Sequence, residues 1–266
     1  MGLNNPIEDG QLLLQLWRRV DELRGAIFRS AAGVFACMVL AFVNRAIVFD
    51  FLIFAPADSD FALYRLMCWA GERLSLSSLC VEPFALKFQN ILIAGQFFAH
   101  LSVSFWFGVL LAFPWVVYQL WRFAMPMVNR GARVATGRML VLSSALFFAG
   151  AATGYFLAIP LAMKFLGMYQ VADPVENIIT LTSYADTFVM LALGMGVSFQ
   201  MPVLILLLSR IGILRRRMLT KYRRHAIVVI LLVAAIITPT PDPFTMSVVS
   251  LPLVLLYELG VRICKK

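Results

Sequence analysis

Histidine occurs only twice in this chain, at His100 and His225, and neither is partnered in sequence by a nucleophile or carboxylate. There is no H-E-x-x-H and no glycine-rich phosphate cradle, so metalloprotease chemistry and nucleotide hydrolysis have no motif to stand on. The chain reads as a non-enzyme that needs neither metal nor cofactor, and any work must come from partners or a proton gradient. Charge is also scarce. Asp, Glu, Lys and Arg make up 14% of the residues against 61% hydrophobic ones, which excludes an ordinary soluble domain. Acid is scarcest: 14 residues in all, and none between Glu82 and Asp173. Residues 1–29 lack the basic start, short apolar core and small-residue site of a cleavable leader, so none is expected.

What the chain has is long apolar runs. About 20 such residues cross a bilayer core of roughly 30 Å. Six segments qualify as spans: 30–48, one within 88–121, 139–163, 187–209, 226–238 and 244–261. Of 23 Lys and Arg, 18 fall on the side holding the N-terminus; only Arg45, Arg65, Arg73, Lys87 and Lys164 fall on the other. By the positive-inside rule the N-terminus is cytoplasmic. This sorting by loop assigns the net charge of +9 to lipid headgroups and topology rather than to nucleic acid.

The expected fold is therefore an all-α integral membrane protein of six transmembrane helices, with both termini cytoplasmic and spans 5 and 6 short. Residues 1–29 form a cytoplasmic amphipathic segment, and 30–263 a single membrane domain. That domain has an outer loop at 57–86 and inner loops at 122–138 and 210–225, and 264–266 are a tail. Span 5 is too short for the bilayer. It either thins the membrane locally or is a buried helix that never meets lipid. Leu13, Leu16, Val20, Leu23 and Ile27 recur at helical spacing along 11–29.

Polar groups at membrane depth are costly and mark candidate sites. Gln96 and His100 share a face of span 2, where an interhelical hydrogen bond is the expected role. Gln200 sits within span 4. Glu258 is expected to pair with Arg262 one turn on. Asp242, in T-P-T-P-D-P, is placed to cap span 6. Gly150 and Gly154 form a G-x-x-x-G that reads as close helix packing. Cys68 and Cys80 share the outer loop, where a disulfide is expected, although spacing alone also allows two thiols. A small secondary transporter with a path past Gln96, His100 and Gln200 is the alternative reading. It would require an internal repeat, and the two halves show none.

Several short motifs in order then carry a resemblance. They are D-E-L-R at 21–24, F-A-P at 54–56, F-P-W-V-V-Y-Q-L-W-R-F-A-M-P at 113–126 and G-V-S-F-Q-M-P at 196–202. T-P-T-P-D at 238–242 and Y-E-L-G at 257–260 complete the series. Together, across residues 15–263, they resemble the TatC family, multispan receptor subunits of the twin-arginine protein translocase. The resemblance implies a multi-pass protein of the bacterial cytoplasmic membrane that binds twin-arginine signal peptides of folded cargo. It also implies TatA- and TatB-type single-span partners and assembly with other copies of itself. Signal-peptide binding carries over to Glu22, Leu23, Arg24 and Phe123, and partner-helix contact to Gln200, Pro202 and Asp242. A carboxylate such as Glu22 grips a guanidinium through two parallel charge-assisted hydrogen bonds, which lysine cannot copy. Two positions depart from the family pattern. Ala132 stands where a second acid is usual, and Gln200 stands where Glu is usual. Asp21, Asp9, Glu8, a carbonyl or a partner could supply the missing carboxylate.

Overall fold

Apolar length and the spacing of helix breakers set the architecture. The structure, a computed structural model, describes residues 6–58, 61–73, 88–128, 133–168, 178–239 and 242–264. Helix α1 (Pro6–Val43) joins the expected amphipathic segment and the first span in one rod. Nothing between them breaks a helix, so the 3.6-residue pattern simply continues. A π-helical turn (Ile47–Ile53) and a 3₁₀ turn (Ala55–Ala57) lead to α2 (Ala62–Arg73) on the outer side. Helix α3 (Gly95–Val128) returns inward and runs unbroken through Pro114. The third span is α4 (Arg133–Thr153), a π-helical turn (Gly154–Ala158) and α5 (Ile159–Met168).

The fourth span is two helices, α6 (Leu181–Ser198) and α7 (Met201–Ile211), not the single helix expected. Pro202 explains the break at Phe199–Gln200: it has no N–H for the ladder and sits in the first turn of α7, where none is needed. Short α8 (Arg216–Lys221), α9 (Arg223–Ile237) and α10 (Pro243–Ile263) complete the chain. Phe88–Gln89 (β1) and Ile179–Thr180 (β2) pair in parallel, clipping the entries to α3 and α6 together.

Among the described residues five helical segments are long and apolar enough to cross a membrane, and Pro243–Ile263, at 21 residues, is the shortest of them. The sixth, α9, has 15 residues, about 22 Å at 1.5 Å per residue. It buries Ile230, Ala234 and Ile237 but exposes Val228, Val229, Leu232 and Ile236. Within this single chain α9 is therefore not fully buried; one face looks outward, available to lipid or to a neighbouring helix.

The core centres on α6. Tyr184, Leu191 and Met195 are almost fully buried and pack with Ile53, Ile159, Ile230 and Leu253. The Tyr184 hydroxyl donates to the Ile53 carbonyl, tying the outer turn to this helix. On the outer side the Tyr64 hydroxyl donates to the Pro160 carbonyl at 2.8 Å, and burial pushes its pKa up, so it stays a donor. Gly150 and Gly154 face α6: a Cβ would lie 2.6 Å from the Met195 carbonyl and 2.8 Å from that of Leu191. The G-x-x-x-G is thus a packing seam, as expected. By contrast α1 is peripheral. Only 11% of its apolar window is buried, against 50% for Met139–Gly167. It leans on α3, where a Cβ at Gly108 would lie 2.7 Å from the Met38 backbone N.

Two expected side-chain pairings differ. Glu258 pairs with Arg223 at 3.1 Å, across to α9, rather than with Arg262. His100 makes no interhelical hydrogen bond through Nε2 among the described residues; its ring stacks on Phe42 at 4.1 Å instead.

Candidate functional site

At the inner end, α1 and α3 enclose a cavity of about 290 Å³. Helical spacing builds both walls. On α1, Glu22, Ala26 and Arg29 fall at i, i+4 and i+7, with Asp21 and Gly25 beside them. On α3, Gln119, Arg122 and Phe123 fall at i, i+3 and i+4. Two bonds hold the walls in register. The Trp115 indole N–H donates to the Arg29 carbonyl at 3.0 Å. Arg29 Nε donates to Gln119 Oε1 at 3.2 Å, and Gln119 is only 2% exposed. A buried amide so placed fixes the guanidinium that shares its cavity.

The cavity therefore presents two carboxylates, Asp21 and Glu22, and two guanidinium groups, Arg29 and Arg122, beside the half-buried ring of Phe123. Both carboxylates are on exposed residues, within reach of an incoming chain. Such a site suits a cationic, planar ligand with an apolar flank: carboxylates for the fork, an aromatic face for stacking.

The structure brings Glu22 and Phe123 together, as carried over from the resemblance. Leu23 and Arg24 do not line the cavity. Leu23 is 39% exposed, and Arg24 lies over the Phe28 ring at 5.7 Å from its centroid. Sequence reasoning missed Arg29, Gln119 and Arg122 as wall residues. The signal was present in the spacing of Gln119, Arg122 and Phe123, but only the α1–α3 pairing shows which face matters. Ala132, at the position of the missing acid, lies outside the described residues.

The other named residues lie elsewhere. Gln200, at the α6–α7 break, is engaged by α4: its Nε2 donates to the Ser143 carbonyl at 3.0 Å, and the Ser143 hydroxyl donates to its Oε1. Pro202 is buried, its Cα 3.7 Å from where a Cβ on Gly260 of α10 would stand. Asp242 caps α10, its carboxylate accepting from the Thr245 N–H at 2.7 Å. Eighteen residue steps, about 27 Å of helix, separate Asp242 from Gly260, so Asp242 and Pro202 lie toward opposite ends of α10. Cys68 is disulfide-bonded, whereas Cys37 and Cys264 are thiols. Cys80, the expected other half, lies outside the described residues. Among the described residues no group of three His, Cys, Asp or Glu could hold a metal.

Comparisons with known proteins agree with this architecture. The family model described as Sec-independent protein translocase protein (TatC) matches residues 19–252. The chain is 30% identical over 252 residues to the Sec-independent protein translocase protein TatC of Blattabacterium sp. subsp. Periplaneta americana, covering 94% of each chain. It is 38% identical over 247 residues to that of Deinococcus radiodurans, covering 92% of this chain and 84% of the relative. A crystal structure of a twin-arginine translocase receptor, TatC, in DDM superposes with a TM-score of 0.75 at 24% identity, covering 93% of this chain and 100% of that one.

Proposed function

The chain belongs to the TatC family of Sec-independent protein translocase proteins, and on that premise we propose that it is the signal-peptide receptor of a twin-arginine translocase. As a family member it is a multi-pass membrane protein and a translocase component rather than an enzyme. The finer reading is that it binds twin-arginine signal peptides of folded cargo at the cytoplasmic face. With TatA- and TatB-type single-span partners and further copies of itself, it exports that cargo across the bacterial cytoplasmic membrane using the proton motive force.

One observation carries this reading: Glu22 and Phe123 share a cavity with a second carboxylate, Asp21. Two successive arginines need two acceptors. With Ala132 at the usual second position, Asp21 is the acid already in the wall. A carboxylate meets an arginine fork through two parallel hydrogen bonds, which a lysine ammonium cannot copy. Phe123 then flanks the bound guanidinium. Gln200, Pro202 and Asp242 are assigned to partner-helix contact as separate points rather than one surface, with hydrogen bonding rather than charge at Gln200.

The test is photo-crosslinking of a twin-arginine peptide to this protein in membranes, with partners present, against a twin-lysine version and Glu22→Ala. Loss of crosslinking with both changes supports the reading. Equal crosslinking of the arginine and lysine peptides overturns it.

A further inference from the structure

The outer end of the first two spans carries chemistry that signal-peptide binding leaves unused. Arg45, Asp50, Gln96 and His100 line one cavity of about 620 Å³. Arg45 follows α1, Asp50 lies in the π-helical turn, and Gln96 and His100 occupy successive turns of α3. Phe49 and Phe97 stand among these polar groups. His100 is fixed as a ring, stacked on Phe42 and meeting Phe49 edge-on at 5.6 Å. Its Nε2 is buried and has no hydrogen-bond partner among the described residues. A buried polar atom in that condition calls for a partner, and its residue is one of those that line the cavity.

An apolar slot of about 190 Å³ lies further along the same helices, lined by Phe107, Leu110, Phe188 and Ala192 among others. Phe107 is seven residues past His100 on α3, and Phe188 is seven past Leu181, which lines the polar cavity, on α6. Both steps are about 10 Å inward. Beside the mouth, Ile47, Phe51, Phe97 and Phe98 are 56%, 74%, 56% and 62% exposed. A polar mouth of mixed charge, rimmed by outward apolar side chains and set above an apolar slot, has the layout of a phospholipid.

We propose that this is a binding site for a zwitterionic outer-leaflet phospholipid of the phosphatidylethanolamine type. Arg45 takes the phosphate through charge-assisted hydrogen bonds. Asp50 takes the ammonium, which offers N–H donors. His100, in its Nε2–H tautomer, and Gln96 donate to the ester carbonyls, and one acyl chain enters the slot. Phosphatidylglycerol brings the phosphate but sets its uncompensated negative charge against Asp50. The site is independent of the signal-peptide reading and can stand or fall alone.

The full-length protein, placed in nanodiscs of equal phosphatidylethanolamine and phosphatidylglycerol and then extracted, is examined by native mass spectrometry for retained lipid. The expected result is about three- to fivefold retention of the zwitterionic lipid, the scale of an exposed ion pair. Asp50→Asn should abolish that preference yet keep total retained phospholipid, because Arg45 still holds phosphate. Arg45→Gln should lower both lipids. His100→Phe, which keeps a ring against Phe42, should also lower retention. Glycerophosphoethanolamine, lacking acyl chains, should not displace the lipid. Equal retention of the two lipids by the unmodified protein, a preference unchanged in Asp50→Asn, or total retention unchanged in Arg45→Gln, overturns the proposal. So does displacement of the lipid by the soluble headgroup or by a single-span partner.

Discussion

Gln200 and Ser143 hold each other across the third and fourth spans: the amide Nε2 donates to the Ser143 carbonyl at 3.0 Å while the Ser143 hydroxyl donates back to Oε1. The pair closes the break that Pro202 opens. Gln200→Leu loses both bonds and should cost about 2 kcal/mol, whereas Ser143→Ala loses one and should cost about 1 kcal/mol. Thermal unfolding in detergent checks the order. If Gln200 also meets partner helices, Ser143→Ala frees its Oε1 while Nε2 stays on the Ser143 backbone carbonyl, and should leave partner co-purification intact, while Gln200→Leu should reduce it.

Much of this fold is legible in one dimension because the bilayer simplifies the problem. Apolar length marks the spans and arginine marks the inner loops, as at Arg122 and Arg215–Arg217. Pairwise choices are harder to read. Glu258 has Arg262 one turn away, yet takes Arg223, because α9 and α10 pack side by side and sequence distance says nothing of that. His100 could have bonded across helices, but Phe42 offers a ring face first. At the cavity, Glu22 is readable as a motif residue. Gln119 is not, because its role exists only once α1 lies against α3.

Glycine on α4 offers a test with two signs. At Gly150 a Cβ would lie 2.6 Å from the Met195 carbonyl and 2.7 Å from Phe199, and backbone cannot step aside cheaply. Gly150→Ala should destabilise by about 1–3 kcal/mol through overpacking. Gly137, on the same helix, has nothing within 4 Å of its Cβ position and is exposed. Gly137→Ala should stabilise by up to about 1 kcal/mol through helix propensity. Paired thermal melts of the two variants decide it. Equal shifts would mean that the α4–α6 seam is looser than the geometry says.

Asp242 separates capping from charge. Its carboxylate accepts the Thr245 N–H, and asparagine caps nearly as well. Asp242→Ala should lower stability by about 1 kcal/mol, and Asp242→Asn by much less. Export assays on Asp242→Asn then read the charge alone. Lost export with an unchanged melting temperature would assign the negative charge to partner contact. Retained export would leave Asp242 as a helix cap.

The two acids of the inner cavity should divide the two arginines between them. Adjacent helical residues point about 100° apart, so Asp21 and Glu22 present their carboxylates to different parts of one cavity wall. A bound arginine pair, with side chains splayed in an extended peptide, can meet both. Charge-assisted hydrogen bonds contribute about 1.5–3 kcal/mol each, so Glu22→Gln should weaken peptide binding by roughly 10- to 100-fold. Asp21→Asn should weaken it similarly if Asp21 supplies the second carboxylate. The decisive measurement is a double-mutant cycle between each acid and each peptide arginine changed to lysine. Each acid should couple strongly to one arginine and weakly to the other. If Asp21→Asn is silent and Glu22 couples to both, the second acceptor comes from another group, such as a partner subunit. If neither acid couples to either arginine, the cavity between α1 and α3 is not where the signal is read.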